Sequence, residues 1–393
     1  MLHQIELPTY DGKLDRIVEF QQQFIAILCT SSISLCPQED DFKQAFADDQ
    51  CGAWTFTWLQ KKSKKGTYYE ELCKLLIYFA ANPGSRQLLV DAFKNDADFY
   101  AHKDDAQFKF LFNTGFNTKK YTELSSIVKS LMIAFYEKLF SDGFPPYVAD
   151  IDRKRFLKIF WDTNKKLGVC PACDGQRPDM DDRCDIDHFF PKALYPFLSM
   201  RAANLVPICV ECNRVYKKDK DPLDHSLPAP LINTFHPYGR PAINEIKIVV
   251  YREVNGERKV LLKEPDDTIS PRIKQMNHVL ELEKRWNERL KRVIGNIEQQ
   301  VRRSANKRRK EGINLTAIVE DVLRDKADNA DIGKEPNSVI TGSYVDYVLL
   351  DLEERLTLAG QIIAEDNVEE VGIFEEQMSA VLAITKPEKD ISR

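Results

Sequence analysis

Apolar residues recur at helical spacing through the first third of the chain. Ile17, Phe20, Phe24 and Leu28 follow one another at intervals of three or four residues, which is the period of one helix face. Turn-forming sequences interrupt such patterns at residues 82–85 and 143–146. We therefore predict an N-terminal helical domain over residues 1–150.

The pattern changes after residue 150. Residues 151–166 predict a basic amphipathic helix that leads into a cysteine-rich segment ending near residue 240. Two strand-like runs then meet at Asn255-Gly256, the signature of a type I′ hairpin. Ser270 and Pro271 predict the start of a helix that runs to Gly312, with Gly295 as the expected bend.

Charge is distributed unevenly along the chain. The total of -5 divides into -4 over residues 1–150, +10 over residues 151–312 and -11 over residues 313–393. The acidic segment 341–384 predicts two further helices. Because phosphate binding needs local positive charge, the basic middle keeps nucleic acid open as a partner.

The basic middle ends in a dense positive cluster at residues 302–310. The sequence RRSANKRRK places six positive charges in nine residues and no acid among them. A solvated helix end would explain the cluster equally well. We predict instead a surface that contacts a nucleic-acid backbone through Arg302, Arg303, Arg308 and Arg309.

The nine cysteines predict a metal site and not a disulfide framework. Their odd number and an N-terminal sequence unlike an export signal favour a reducing, cytoplasmic location. No apolar run approaches the roughly 20 residues that a membrane span needs. Four cysteines form two C-x-x-C pairs separated by 35 residues. Such pairs supply a closed tetrahedral Zn²⁺ site, here Cys170, Cys173, Cys209 and Cys212. This zinc is predicted to be structural because four thiolates leave no open position for water.

Candidate catalytic residues lie between and beside these pairs. Asp187 carries a hard oxygen ligand that suits Mg²⁺ or Mn²⁺, and the adjacent His188 is suited to act as a general base. Side chains of consecutive strand residues point to opposite faces. Asp187 and His188 can therefore act on one centre only if the strand bends or if residues from elsewhere join them. Asn213, directly after the second cysteine pair, is placed to approach that centre.

The segment resembles the HNH endonucleases, which carry a ββα-metal motif and often a four-cysteine zinc. The resemblance rests on the order C-x-x-C, D-H-x-x-P-K and N-L-x-P-x-C-x-x-C-N-R, which extends over about 45 residues. It implies that His188 deprotonates the attacking water, that Asp187 and Asn213 bind one Mg²⁺ or Mn²⁺, and that Asn204 orients the histidine and ties its loop. It implies nothing about the flanking segments.

The same resemblance implies contacts to phosphates that flank the cleaved bond. Lys192 and Arg214 are placed for such contacts. Similar sequences often carry a lysine three residues after the final asparagine, whereas this chain has Tyr216 there and Lys217 and Lys218 just after it. The sequence therefore leaves open which lysine contacts the phosphate. Asp185 is a candidate second or outer ligand of the cation, and we expect Cys184 to be a packed thiol.

The expected fold is mainly α, with a small treble-clef-like ββα zinc module and one β-hairpin. The predicted domains are helical residues 1–150, a nuclease module at 151–240, the hairpin and basic helix at 241–312, and an acidic helical region at 313–393. The expected function is metal-dependent hydrolysis of phosphodiester bonds, of DNA before RNA.

Two other interpretations stay open. A catalytically inactive, zinc-dependent nucleic-acid-binding or adaptor protein would keep the cysteines and the basic helix. A RING-like interaction module is less consistent, because it needs eight ligands around two zinc ions. By analogy with bacterial and phage proteins of similar architecture, we also predict a role in anti-phage defence beside an ATPase or another defence protein.

Overall fold

The computed structural model of the protein describes residues 1–29, 34–46, 48–63, 66–116, 118–178, 183–308, 315–328 and 332–365. This part of the chain is mainly helical and contains three two-stranded antiparallel sheets. It divides into two compact units. The first consists of Met1–Cys173, Arg177–Glu245 and Ser270–Leu280, and the second contains the rest.

These units differ from the predicted domains. The boundary expected near residue 150 lies inside the first unit, because the N-terminal helices pack directly on the cysteine-rich segment. The Tyr136 hydroxyl donates to the Ile186 carbonyl at 2.7 Å, and the Ser199 hydroxyl donates to the Met132 carbonyl at 2.9 Å. The predicted 241–312 domain is divided between the two units.

The first unit is built on helices with aromatic faces. Its α-helices are α1 (Lys13–Cys29), α2 (Glu39–Phe46), α3 (Asp49–Leu59), α4 (Tyr68–Ala81), α5 (Gly84–Ala97), α6 (Thr122–Ser141), α7 (Pro146–Ala149), α8 (Arg153–Thr163) and α9 (Pro271–Leu280). The predicted apolar face of α1 is confirmed, because Ile17, Phe20, Phe24 and Leu28 are all buried. Phe20 and Phe24 each pack edge-on against Phe135 of α6. Capping groups fix several helix ends, as in α8, where the Asp152 carboxylate accepts from the Arg155 amide at 2.7 Å.

Two short strand pairs complete the first unit. β1 (Lys62–Ser63) pairs with β2 (Gly66–Thr67), and β3 (Cys184–His188) pairs with β4 (Leu205–Cys209). In the second pair, Cys184 lies opposite Cys209 and His188 lies opposite Leu205. A short helix, Glu211–Lys217, follows β4 directly. The cysteine-rich segment therefore folds as strand, strand and helix, and we call this the ββα segment.

The second unit packs helices against a hairpin. Its elements are β5 (Lys247–Arg252), β6 (Arg258–Lys263), α10 (Leu282–Arg308), α11 (Leu315–Asp328), α12 (Ser338–Leu350) and α13 (Leu352–Glu365). The apolar stripe of α10, including Trp286, Leu290 and Ile297, is buried against β6, α11 and α12. The two helices predicted within 341–384 correspond to α12 and α13, and residues from 366 onward lie outside the described chain.

Two local predictions in residues 246–312 need correction. A two-residue type I′ turn requires positive φ at both central residues, but Asn255 has none and only Gly256 does, with φ of 84°. The Gly256 amide donates to the Glu253 carbonyl at 2.8 Å, so the loop has three central residues and ends in a left-handed glycine. The predicted helix is also broken, at Glu281 with φ of 50°, whereas α10 passes through Gly295 without interruption.

Candidate functional site

The four cysteines of the two C-x-x-C pairs form one cluster. Cys170 and Cys173 lie in the loop after α8, Cys209 ends β4, and Cys212 lies in the first turn of the short helix. Their four sulfur atoms lie within 4.8 Å of one another. The Cys170 and Cys212 sulfurs are 4.0 Å apart, close to the roughly 3.8 Å edge of a tetrahedron with Zn–S bonds of about 2.3 Å.

Backbone amides support this cluster as they do in a metal knuckle. The Cys209 amide points at the Cys170 sulfur, and the Cys212 amide points at the Cys209 sulfur, each at 3.4 Å. Burial raises the pKa of the Cys170 thiol well above its usual value, so its thiolate needs a cation beside it. The cluster is therefore a candidate metal site whose donors are consistent with zinc.

The fifth cysteine of the segment lies outside this cluster. Cys184 is buried and pairs with Cys209 across the two strands. Burial raises the pKa of its thiol to about 12, which keeps the sulfur protonated and unreactive. This arrangement agrees with a packed thiol.

The ββα segment places the candidate catalytic residues around one pocket of about 430 Å³. Asp187 and His188 come from the end of β3, and Asn213 comes from the short helix that begins at the cysteine cluster. The pocket is also lined by Tyr136, Phe140, Asp185, Ile186, Pro191, Lys192, Arg214, Lys218 and Asp219. Residues of the second and third sequence motifs thus line one pocket, and the first motif joins the third at the cysteine cluster.

His188 has a defined tautomer in this pocket. Its Nε2 lies 3.0 Å from the Ser199 carbonyl oxygen, and a carbonyl only accepts hydrogen bonds, so Nε2 carries the proton and Nδ1 carries the lone pair. Burial lowers the pKa of His188 to about 3, which keeps the ring neutral near pH 7. The Tyr136 ring packs edge-on against it at 4.1 Å between centroids.

Asp187 is held in a buried ion pair. Its Oδ1 accepts from the Lys217 ammonium at 2.9 Å, and the two side chains are 3% and 2% exposed. Burial raises the pKa of Asp187, and the Lys217 charge counteracts that rise. Its second oxygen, Oδ2, is buried and has no hydrogen-bond partner among the described residues.

Lys217 corrects one of the predicted phosphate contacts. The side chain is buried, and its ammonium also donates to the His188 carbonyl at 2.6 Å. It therefore faces inward and does not present its charge to a polynucleotide. The neighbouring Lys218 is exposed and lines the pocket, so it is the better placed of the two for a phosphate.

Asp185, Asn213 and Arg214 form a second polar group at the pocket. Asp185 accepts from the Asn213 amide at 3.1 Å and from two Arg214 nitrogens at 2.7 and 2.8 Å. Partial burial alone would raise the pKa of Asp185, but these hydrogen bonds bring it below its usual value. Because the Arg214 side chain is 66% exposed, its guanidinium is accessible to a phosphate.

Asn204 acts on the backbone around the histidine and not on the ring. Its Oδ1 accepts from the Phe190 amide at 2.7 Å, and its Nδ2 donates to the Phe190 and Leu198 carbonyls at 3.0 and 3.1 Å. These bonds close the loop between β3 and β4. They fix the backbone next to Ser199, whose carbonyl holds His188.

Sequence reasoning missed two residues at this pocket. Tyr136 comes from α6, about fifty positions before the motif, and nothing in the local pattern connects it with His188. The Lys192 ammonium lies 4.5 Å from the centre of the Tyr136 ring, a cation–π contact. Ser199 was also missed, because it contributes through its carbonyl, which carries no residue signature.

The basic residues of α10 belong to the second unit. Arg302, Arg303 and Arg308 lie on its last turns, and Arg308 pairs with Asp321 of α11 at 2.7 Å. Arg309 lies outside the described residues. A contact of these arginines with nucleic acid stays a prediction.

Comparisons with known proteins add no family assignment. No protein-family model, no curated protein and no solved structure matches the chain. Within the described residues, no helix combines the length and the apolar character needed to cross a lipid bilayer.

Proposed function

We propose that the protein is a metal-dependent endonuclease of the HNH type that hydrolyses phosphodiester bonds, with DNA as the first substrate to test. One observation carries the proposal. A neutral histidine, a buried carboxylate and a carboxamide line one pocket on a ββα segment whose junction between β4 and the short helix lies at a four-cysteine cluster. No single structural role requires these groups together.

The pocket residues fit a divalent cation. Asp187 Oδ2 is a buried oxygen without a partner, and a buried carboxylate oxygen normally has one. Asn213 lines the same pocket, and a carboxamide oxygen is a hard donor that suits such a cation. A bound Mg²⁺ or Mn²⁺ would stabilise negative charge on a phosphate as its P–O bond breaks.

His188 supplies the base in this proposal. Its Nδ1 lone pair takes a proton from the water that attacks phosphorus, while the Ser199 carbonyl holds the opposite nitrogen and fixes the ring. Asn204 fixes the backbone on both sides of that contact. Proton transfer of this kind contributes about 10²–10⁴-fold to a rate.

Cations near the pocket suit a polyanionic substrate. Lys192, Arg214 and Lys218 all line the pocket, and Arg214 and Lys218 are exposed. Such contacts position a phosphate backbone without reading its sequence. DNA rather than RNA stays a prediction, and action in anti-phage defence beside an ATPase or another defence protein rests on analogy with proteins of similar architecture.

A binding protein without activity is the second candidate. Two of the three carboxylates that line the pocket are already in ion pairs, Asp185 with Arg214 and Asp187 with Lys217. If those pairs persist when nucleic acid binds, the pocket holds phosphate but no cation. The zinc cluster and the surface cations would then serve binding alone.

A cleavage assay separates the two candidates. Zinc-loaded wild type, H188A and the exposed-histidine control H102A are incubated with supercoiled plasmid in Mg²⁺, Mn²⁺ or EDTA. We expect cleavage by wild type and H102A with either cation, none in EDTA, and a loss of at least about 10²-fold in H188A. Retarded but uncut DNA with every cation would favour the binding protein, and cleavage that persists in H188A would exclude the proposed base.

A further inference from the structure

Lys217 differs from the other cations of the ββα segment. Its side chain is 2% exposed, whereas that of Arg214, three residues earlier on the same short helix, is 66% exposed. The Lys217 ammonium bonds Asp187 Oδ1 at 2.9 Å and the His188 carbonyl at 2.6 Å. It therefore contacts two consecutive residues of the proposed site from the protein interior.

This arrangement divides the Asp187 carboxylate between two partners. One oxygen is occupied by the ammonium, and the other is buried without a partner among the described residues. The charge that Asp187 offers to a divalent cation is thereby largely balanced before the cation arrives. Asp185 is balanced in the same way by Arg214, so two of the three carboxylates that line the pocket have a basic partner.

We propose that Lys217 is a positioning residue and a resident counterion, which holds the Asp187–His188 backbone in place and weakens the binding of the divalent cation. This inference rests on the proposed function and assigns Lys217 two opposite effects, one on cation binding and one on cleavage. Removal of the Lys217 charge should strengthen cation binding and at the same time slow cleavage.

The two effects have separate physical causes. A positive charge within a few ångströms of a divalent cation repels it, and in a buried site the repulsion is only weakly screened. Its loss should lower the dissociation constant for the cation by about tenfold or more. The lost bond to the His188 carbonyl leaves the backbone of the base less restrained, which should reduce the cleavage rate.

The test measures Mn²⁺ binding directly, apart from activity. Zinc-loaded full-length protein without nucleic acid is titrated with Mn²⁺ at pH 8, and unbound Mn²⁺ is counted by electron paramagnetic resonance. Wild type is compared with K217M, with the charge-retaining K217R, and with K218M, which removes the adjacent exposed charge. We expect tighter Mn²⁺ binding and slower plasmid cleavage in K217M, with Mn²⁺ affinity changed less than about threefold in K217R and K218M.

A second neutral variant guards against misfolding. K217Q keeps a hydrogen-bond donor near Asp187 and lacks the charge, so it carries the comparison if K217M shows no cooperative thermal transition. Unchanged or weaker Mn²⁺ binding in a folded neutral variant would overturn the inference even if wild type cleaves DNA and H188A does not. Cleavage that survives H188A would instead overturn the proposed function.

Discussion

Replacing Asn204 by alanine should destabilise the first unit more than the same replacement at any exposed asparagine. Asn204 is fully buried, and its side chain satisfies three backbone groups, the Phe190 amide and the carbonyls of Phe190 and Leu198. Alanine removes all three bonds and leaves their backbone partners in a closed interior. The loop that carries the Ser199 carbonyl loses its internal support.

The size of the effect follows from those three groups. A buried group that loses its partner costs about 1–1.5 kcal/mol at the lower end of measured values, so N204A should lose about 3–5 kcal/mol. Domains are stable by about 5–15 kcal/mol, so the variant should fold but unfold at a much lower urea concentration. The N204D side chain keeps the oxygen that accepts from the Phe190 amide but turns its second oxygen toward two carbonyl oxygens. The loss of stability in N204D should therefore be at least as large as in N204A.

The stability of the N204D variant should also depend on pH, with a sign that follows from its surroundings. A carboxyl group facing two carbonyls is more stable protonated, so its pKa in the folded state should lie above the unfolded value of about 3.9. Stability relative to wild type should then be greatest below pH 4 and fall as pH rises through the folded-state pKa. The N204D deficit should therefore grow between pH 4 and pH 7, whereas that of N204A should stay constant.

Urea unfolding followed by tryptophan fluorescence measures these differences. Three of the four tryptophans, Trp54, Trp58 and Trp161, lie in the first unit. N244A, at an exposed position of the same unit, is the matched control and should change stability by less than about 0.5 kcal/mol. A loss below about 1 kcal/mol in N204A, or an N204D protein as stable as wild type at pH 7, would show that the three Asn204 bonds do not support the loop.

Three further predictions concern the zinc cluster, the pocket mouth and the second unit. C209S should lower the amount of bound zinc, measured by atomic emission, and abolish cooperative unfolding of the first unit. C184S should retain one zinc per chain. Loss of zinc in both variants would contradict the assignment of the zinc ligands. R214A should reduce the slope of log affinity for DNA against log salt concentration by about one, as read from fluorescence anisotropy, and an unchanged slope would remove Arg214 from the interface. E354A should destabilise the second unit by about 3–5 kcal/mol, because buried Glu354 accepts two hydrogen bonds from Arg258 at 3.0 and 2.7 Å. Urea unfolding followed by circular dichroism measures the loss of stability. A change under about 1 kcal/mol would contradict the prediction.

Short-range signals in the sequence predicted the parts of the fold that depend on local chemistry. The C-x-x-C spacing predicted the cysteine cluster, because a tight turn holds each pair at metal-binding distance. Helical periodicity predicted α1 and its buried face, and the Asn255-Gly256 dipeptide predicted the hairpin between β5 and β6. The hairpin turn itself was predicted wrongly, because Gly256 alone supplies the positive φ that the loop needs.

Long-range packing explains what local patterns left undetected. Glu281 breaks the predicted helix although no glycine or proline marks the position, and at this residue the chain passes from the first unit to the second. Lys217 resembled a surface cation in the sequence, yet it is buried because Asp187 compensates its charge. Tyr136 reaches the pocket from a helix far away in sequence, which no motif within the cysteine-rich segment encodes.

The location of the divalent cation is the most direct test of the proposed site. Crystals of the zinc-loaded protein soaked in Mn²⁺ would be measured at the Zn and Mn absorption edges to separate the two metals. We expect zinc bound by Cys170, Cys173, Cys209 and Cys212, and Mn²⁺ bound by the oxygens of Asp187 and Asn213 on the side of the pocket that His188 faces. Mn²⁺ found elsewhere, or absent while Asp187 remains paired only with Lys217 at saturating concentration, would contradict this expectation.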